Sequence, residues 1–269
     1  MVKIEQQQDF ERYDLALLAL MAAEEICQQP LLHQGLAQLA TLRREIGSQI
    51  SACQNVTEKR ELLLTLFYQK LGFKGNWQNY FISENNLLHQ VLSERKGNAL
   101  SLGILLIYLA KGCEIDAEGI CFPEYFLVRF NDGQDSVIVD PLNGQRLEHH
   151  ELELRLRGAQ GNLAQLKEEH LQATDQRLIV ERLLGQLKTA FIREDKVVEA
   201  LHCSELFLRL NPGDPYEVRD RGFLYERLDC GQLAADDFEY FIKECPDDPV
   251  AEILKQQIER LDRQQKTLH

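Results

Sequence analysis

Acyl transfer through a covalent intermediate needs a thiolate or alkoxide, an imidazole to take its proton, and a carboxylate to hold the imidazole's tautomer. Between residues 97 and 150 the chain carries Ser101, Cys113, Cys121, Asp140, His149 and His150, in that order. A nucleophile is activated at a helix start, where unpaired amides and the helix dipole lower its pKa. Ser101 lies near such a start, after Gly97-Asn98, but its neighbouring pattern offers no His. Cys113 falls near the far end of the same expected helix, where the dipole opposes ionisation. Cys121 reads as a small buried hydrophobe within a strand. His149 and His150 follow the aspartate and reach it only if the chain folds back. Asp140 precedes Pro141, and Asp-Pro is a common turn starter whose carboxylate caps the amides that follow; Asn143-Gly144 strengthens that reading. A place in a polar cleft is the other reading of Asp140. Elsewhere GFKGNW has the glycine spacing of a loop but lacks the Lys-Ser/Thr of a phosphate loop. The seven cysteines (27, 53, 113, 121, 203, 230, 245) form no C-x-x-C pair, so neither a zinc site nor a disulfide framework is expected.

These residues need a helix and strands to position them. Leu100 to Ala110 is almost wholly apolar, which predicts a central helix covered on most sides. AEGICF, YFLVRF and SVIVDP read as three short strands, with NDGQD as the loop between the last two. Ahead of them, helices are expected over 9–28 (Asp9 as N-cap), 33–47 (Leu36, Leu39 and Ile46 inward, stopped by Gly47), 57–71 (Thr57 as cap, Gly72 at its end) and 84–95. The segment 148–170 reads as helical with a break at Gly158–Gly161.

Composition bounds the function. The formal net charge is −13 and no Lys/Arg run exceeds two, so direct nucleic-acid binding is disfavoured. Leu15 to Ala23, closed by Glu24-Glu25, is too short to span a bilayer, and the polar N-terminus lacks signal-peptide grammar. Scattered, odd-numbered thiols suit a reducing compartment, so a cytoplasmic location is expected.

The last hundred residues repeat. Pro212 and Pro246 lie 34 apart, as do Pro215 and Pro249, and 34 is the tetratricopeptide period. Over 215–248 the template places Gly222, Tyr225, Ala234, Phe238 and Pro246 at its small, aromatic, small, aromatic and proline positions. Over 181–214 it places Leu184, Leu187, Phe191, Ala200, Phe207 and Pro212, with Lys188 in place of the usual Gly and Ser204 in place of the usual aromatic. Residues 249–262 read as a closing helix with Ile253, Ile258 and Leu261 buried.

Central helix, strands and Asp-Pro, in the order of RKGNALSLGILLIYLA, EGICFPEYFLVRF and VIVDPLNG, followed by RDRGFLYERL within two repeats, resemble the bacterial SirB-type family: a transglutaminase-like domain joined to C-terminal tetratricopeptide repeats. In active members of the superfamily the nucleophile follows a Gly-x at the start of the central helix. The matching stretch is Gly97-Asn98-Ala99, so Ala99 occupies that position, with Ser101 two residues on. The His position, at the start of the next-to-last strand, is Tyr125. The aspartate matches as Asp140. The resemblance therefore implies a pseudo-enzyme in which the Tyr125 phenol bonds the Asp140 carboxylate.

The expectation is an α+β protein: N-terminal helices with a small antiparallel sheet over 1–172, then an all-α repeat domain over 173–269 with repeats at 181–214 and 215–248. Its expected role is non-catalytic, as an adaptor or regulator that binds a protein or peptide, with no cofactor and no metal. Phe122, Tyr125 and Asp140 would line a relic cleft. Asp236 and Asp237 would serve a basic part of the partner, because 214–248 carries eleven acidic residues against four basic ones. The alternative is a papain-like or transglutaminase-like hydrolase or acyl transferase with a displaced nucleophile.

Overall fold

The computed structural model describes residues 4, 5, 7–133 and 136–267. The helix expected over 9–28 is two helices, α1 (Gln7–Arg12) and α2 (Leu15–Cys27). Asp14 separates them: its backbone is extended and its carboxylate accepts the Leu17 amide at 2.8 Å, so a fresh N-cap restarts the helix. Asp9 lies inside α1 instead of capping it. Helix α3 (Leu32–Ile50) runs through Gly47. Its inward stripe is Gly35, Leu39, Leu42, Ile46 and Ile50, at steps of four and three, and Leu36 falls off that stripe into solvent. Helix α4 (Val56–Thr65) is capped by Asn55, not by Thr57, whose hydroxyl donates to Asp132. It widens into one π-helical turn over Leu66–Lys70 before Gly72 at φ 74° ends it.

Two strands of two residues each, β1 (Lys74–Gly75) and β2 (Lys96–Gly97), pair in parallel. They leave too short a pattern for any periodicity to reveal. Between them lies α5 (Leu88–Glu94), and after them α6 (Ala99–Gly112), in which every residue from Ala99 to Ile107 is buried. Strands β3 (Asp116–Ile120), β4 (Leu127–Asn131) and β5 (Ser136–Val139) form an antiparallel sheet in that order, with Val128 opposite both Gly119 and Val139. The middle of the expected NDGQD loop, 134–135, lies outside the described residues. Phe126 sits where the sheet meets α6. A Cβ on either Gly103 or Gly119 would come within 2.5 Å of its ring, so both glycines permit that close approach. Helix α7 (His149–Gln160) follows and stops at Gly161.

Five further helices complete the chain: α8 (Gln176–Arg193), α9 (Val197–Leu210), α10 (Pro215–Arg227), α11 (Gly231–Glu244) and α12 (Pro249–Thr267). The apolar faces of α8 and α9 belong to the same buried cluster as α2, α3 and α6, through Ile179, Leu183, Leu187, Phe191 and Cys203. Arg209 of α9 reaches back to Glu25 of α2 with both guanidinium nitrogens, at 2.6 and 3.0 Å. The second helix pair and α12 build a separate core from Ala234, Phe238, Phe241, Leu254 and Leu261. Ile253, expected inside, is exposed, because Leu254 and Leu261 at a spacing of seven define the buried line of α12. Among the described residues no helix is long and apolar enough to cross a membrane.

Gly222 of α10 faces the Phe238 ring of α11, and a Cβ there would stand 2.6 Å from it. Gly222→Leu is expected to overpack the pair and cost about 1–3 kcal/mol in urea unfolding. An unchanged midpoint would remove the basis for the repeat register.

Candidate functional site

The start of α6 is committed to holding itself in place. Asn98 is its N-cap: the side-chain oxygen accepts the Ser101 amide at 2.9 Å, while Ser101 Oγ accepts the Asn98 amide at 3.2 Å, a reciprocal capping box. Ser101 also donates its hydroxyl proton to the Asn85 carbonyl at 2.5 Å and is 1% exposed. The displaced-nucleophile position is therefore a buried cap. Asn98 Nδ2 donates to Asn86 at 2.6 Å and to Gln186 of α8 at 3.1 Å, tying the helix start to α8. Ala99 offers a methyl group, and its backbone amide faces the Tyr80 phenol. Burial above all pushes that phenol's pKa up.

Asp140 is 4% exposed. One carboxylate oxygen accepts the Leu142 amide at 2.9 Å, and the other accepts from Arg155 Nη2 of α7 at 2.8 Å. Its own carbonyl accepts the Gly144 amide at 2.8 Å, closing the turn read from Asp-Pro-Leu-Asn-Gly. Tyr125 lies just before β4, and the Arg155 guanidinium carbon stands 4.9 Å from its ring centroid. The expected phenol-to-carboxylate bond is thus replaced: Arg155 sits against both groups and supplies the positive charge. Guanidinium does not give up its proton in proteins, so Arg155 cannot take the imidazole's part as proton acceptor. Sequence reasoning missed Arg155 because a charged residue on a polar helix reads as solvated. The usable signal was its position between Leu152 and Leu156, the two buried residues of α7. Tyr68 closes the other side, donating to the Pro141 carbonyl at 2.9 Å. Burial first, and then the Asp140 charge, hold its phenol far above the ordinary range.

The remaining sequence candidates separate. Phe122 is 0% exposed, packed with Ile120, Leu127 and Leu152, and offers no surface to a partner. His149 and His150 are exposed on the first turn of α7. Cys121 follows β3, and its amide donates to Thr174. Cys113 caps the end of α6, and burial raises its thiol pKa; burial likewise raises Cys27, to about 11. Asp237 is buried and held by Arg221 at 2.7 and 2.8 Å, so it is unavailable to a partner, whereas Asp236 is exposed and accepts from Gln232. Much of the acidic surplus is structural: Asp214 caps α10, Asp248 bonds the Val250 amide at the start of α12, and Lys188 holds Glu217 and Asp220.

In front of the α6 start lies a cleft of about 450 Å³. Tyr80, Phe81, Asn98 and Glu124 line it together with one face of α8. Among the described residues no group of three or more His, Cys, Asp and Glu side chains is placed to hold a metal ion. Neither a thiol nor an imidazole lines the cleft among the described residues.

Compared with known proteins, residues 33–185 match the family model described as the transglutaminase-like superfamily, and residues 187–259 match a tetratricopeptide-repeat model. A UPF0162 protein of Vibrio cholerae is 40% identical over 264 residues, 97% of this chain and 98% of that one. Protein SirB1 of Salmonella typhimurium is 35% identical over 235 residues, covering 87% and 86% of the two chains. UPF0162 protein YchA of Escherichia coli K12 is similar to the same extent, 35% over 235 residues.

Proposed function

The chain belongs to the transglutaminase-like family that includes SirB1 and the UPF0162 proteins, and from that premise we propose that it is a non-catalytic binding protein. In this reading a pseudo-enzyme domain, 1–172, and a repeat domain, 173–269 with repeats at 181–214 and 215–248, hold a protein or peptide segment in the cleft between them. It acts as a cytoplasmic adaptor or regulator. The observation that carries the reading is the arginine on Asp140 where an acyl-transfer site needs an imidazole. The buried hydroxyl of Ser101, spent on the Asn85 carbonyl, supports it from the other side of the site. A hydrolase using Ser101 would have to break the cap of its own central helix before it could attack.

The test uses the full chain. Serine- and thiol-directed activity probes, together with amide-hydrolysis and transamidation assays, are expected to show no turnover and no labelling of Ser101. Turnover that disappears in a well-folded Ser101→Ala variant would overturn the proposal. Binding is tested at Gly185, which faces the cleft from the middle of α8 with no atom within 4 Å of a Cβ. Gly185→Trp therefore fills the cleft without entering the core, and is expected to abolish peptide capture while melting as the parent does.

A further inference from the structure

The α8 wall of the cleft presents Arg182, Gly185, Gln186, Thr189 and Arg193. Their spacing places them on one helical face. We propose, resting on the binding reading above, that this wall clamps an acidic peptide: an extended segment carrying two carboxylates, one on Arg182 and one on Arg193, with an apolar residue beyond the second.

Charge carries the first step. In a protein of net charge −13, several basic side chains outside the cleft are committed: Arg155 to Asp140, Lys188 to Glu217, Arg209 to Glu25 and Arg221 to Asp237. Arg182 and Arg193 form no ion pair among the described residues. Arg182 spends one donor on the Phe122 carbonyl at 3.3 Å and keeps the rest of its fork. Arg193 lies 4.8 Å over the ring of Phe81, which is itself exposed. Stacking fixes the plane of a guanidinium and leaves its edge for a carboxylate. Among the described residues Glu124 is the one carboxylate lining the cleft, against these two cations.

Spacing carries the second step. Arg182 and Arg193 are eleven residues apart on α8, about 16 Å along its axis. About five residues of extended chain cover that distance. Between them Gln186 accepts from Asn98 through its oxygen, which leaves its NH2 for a peptide carbonyl. One residue before Arg193, Ile192 lines a second cavity, of about 290 Å³, with Phe223 and Leu224 of α10. That cavity suits the apolar residue. A nucleic-acid strand would bring its phosphates against the acidic remainder of the molecule, so the peptide is the occupant the charges favour.

The experiment selects a phage-displayed random peptide library on the intact protein and measures the enriched peptides by anisotropy. Sequences with Asp or Glu pairs four to six residues apart are expected to enrich. Their affinity is expected to fall at least tenfold in Arg182→Gln/Arg193→Gln, and to weaken steeply with added salt. Arg193 is exposed, and Arg182 is half-buried with one hydrogen bond, to the Phe122 carbonyl, so the double variant is expected to melt close to the parent. Neutral or basic peptides that bind, resist the double substitution and yet are lost in Gly185→Trp would sink the acidic clamp and leave the binding reading standing. No enrichment, or binding indifferent to Gly185→Trp, would sink both. An oligonucleotide that displaces the peptides at lower concentration than they bind would overturn the peptide assignment.

Discussion

Asp140→Ala lowers the unfolding free energy by about 3 kcal/mol, the scale for removing one partner of a buried ion pair together with a buried turn acceptor. The carboxylate meets two demands. It satisfies the Leu142 amide within the turn and neutralises Arg155, whose side chain is 23% exposed and so draws some relief from water. Asp140→Asn keeps the first interaction and loses the second, so it is expected to cost roughly half as much. In a working triad the corresponding changes reduce turnover and leave the fold nearly intact. Here the loss appears in urea denaturation. If Asp140→Ala unfolds at the parent's midpoint, the Arg155 contact contributes nothing and the site is not the structural element described above.

That contrast shows which parts of the site a single sequence reveals. The turn at Asp140 is legible because Asp-Pro and Asn-Gly each restrict the backbone locally. The central helix is legible because eleven nearly unbroken apolar residues leave no polar face. The repeats are legible because stacked units demand the same small and large residues every 34 positions. Arg155, Tyr80 and the burial of Phe122 depend on which side chains meet across the fold, and no local pattern encodes that. The acidic surplus misled for the same reason. A sum of charges does not say that Asp237 faces Arg221 or that Asp214 caps a helix. Leu36 and Ile253 fall outside the buried faces because each helix carries more apolar residues than its buried stripe uses. The cleft itself left one trace, a glycine inside α8 with no close neighbour to require it. A mid-helix glycine costs about 1 kcal/mol relative to alanine, and here open space lies in front of it.

The repeat template fails at two positions, Lys188 and Ser204, and the structure joins both failures at Glu217. Lys188 Nζ stands 2.8 Å from both carboxylate oxygens of Glu217 and 2.9 Å from Asp220, and Ser204 donates to Glu217 at 2.5 Å. The cluster stitches α8 and α9 to α10. Glu217 is 8% exposed and Ser204 fully buried, so a glycine at 188 or an aromatic at 204 would leave the carboxylate short of partners. Lys188→Met is therefore expected to cost about 3–5 kcal/mol, because an uncompensated charge stays buried. Lys188→Met combined with Glu217→Met is expected to recover most of that loss, since apolar groups of similar volume replace a buried pair at little cost. The pH dependence has a definite sign. Burial disfavours the Lys188 ammonium, but Glu217 and Asp220 outweigh it and hold its pKa above the ordinary 10.5. A raised lysine contributes stability that is complete below its unfolded value and is lost as pH rises through its folded value. The gap between parent and Lys188→Met should thus be constant from neutral pH up to about 10, then close in more alkaline solution. A gap that narrows instead between pH 7 and 9, or a double variant no more stable than Lys188→Met, would show that the two departures from the template are unconnected.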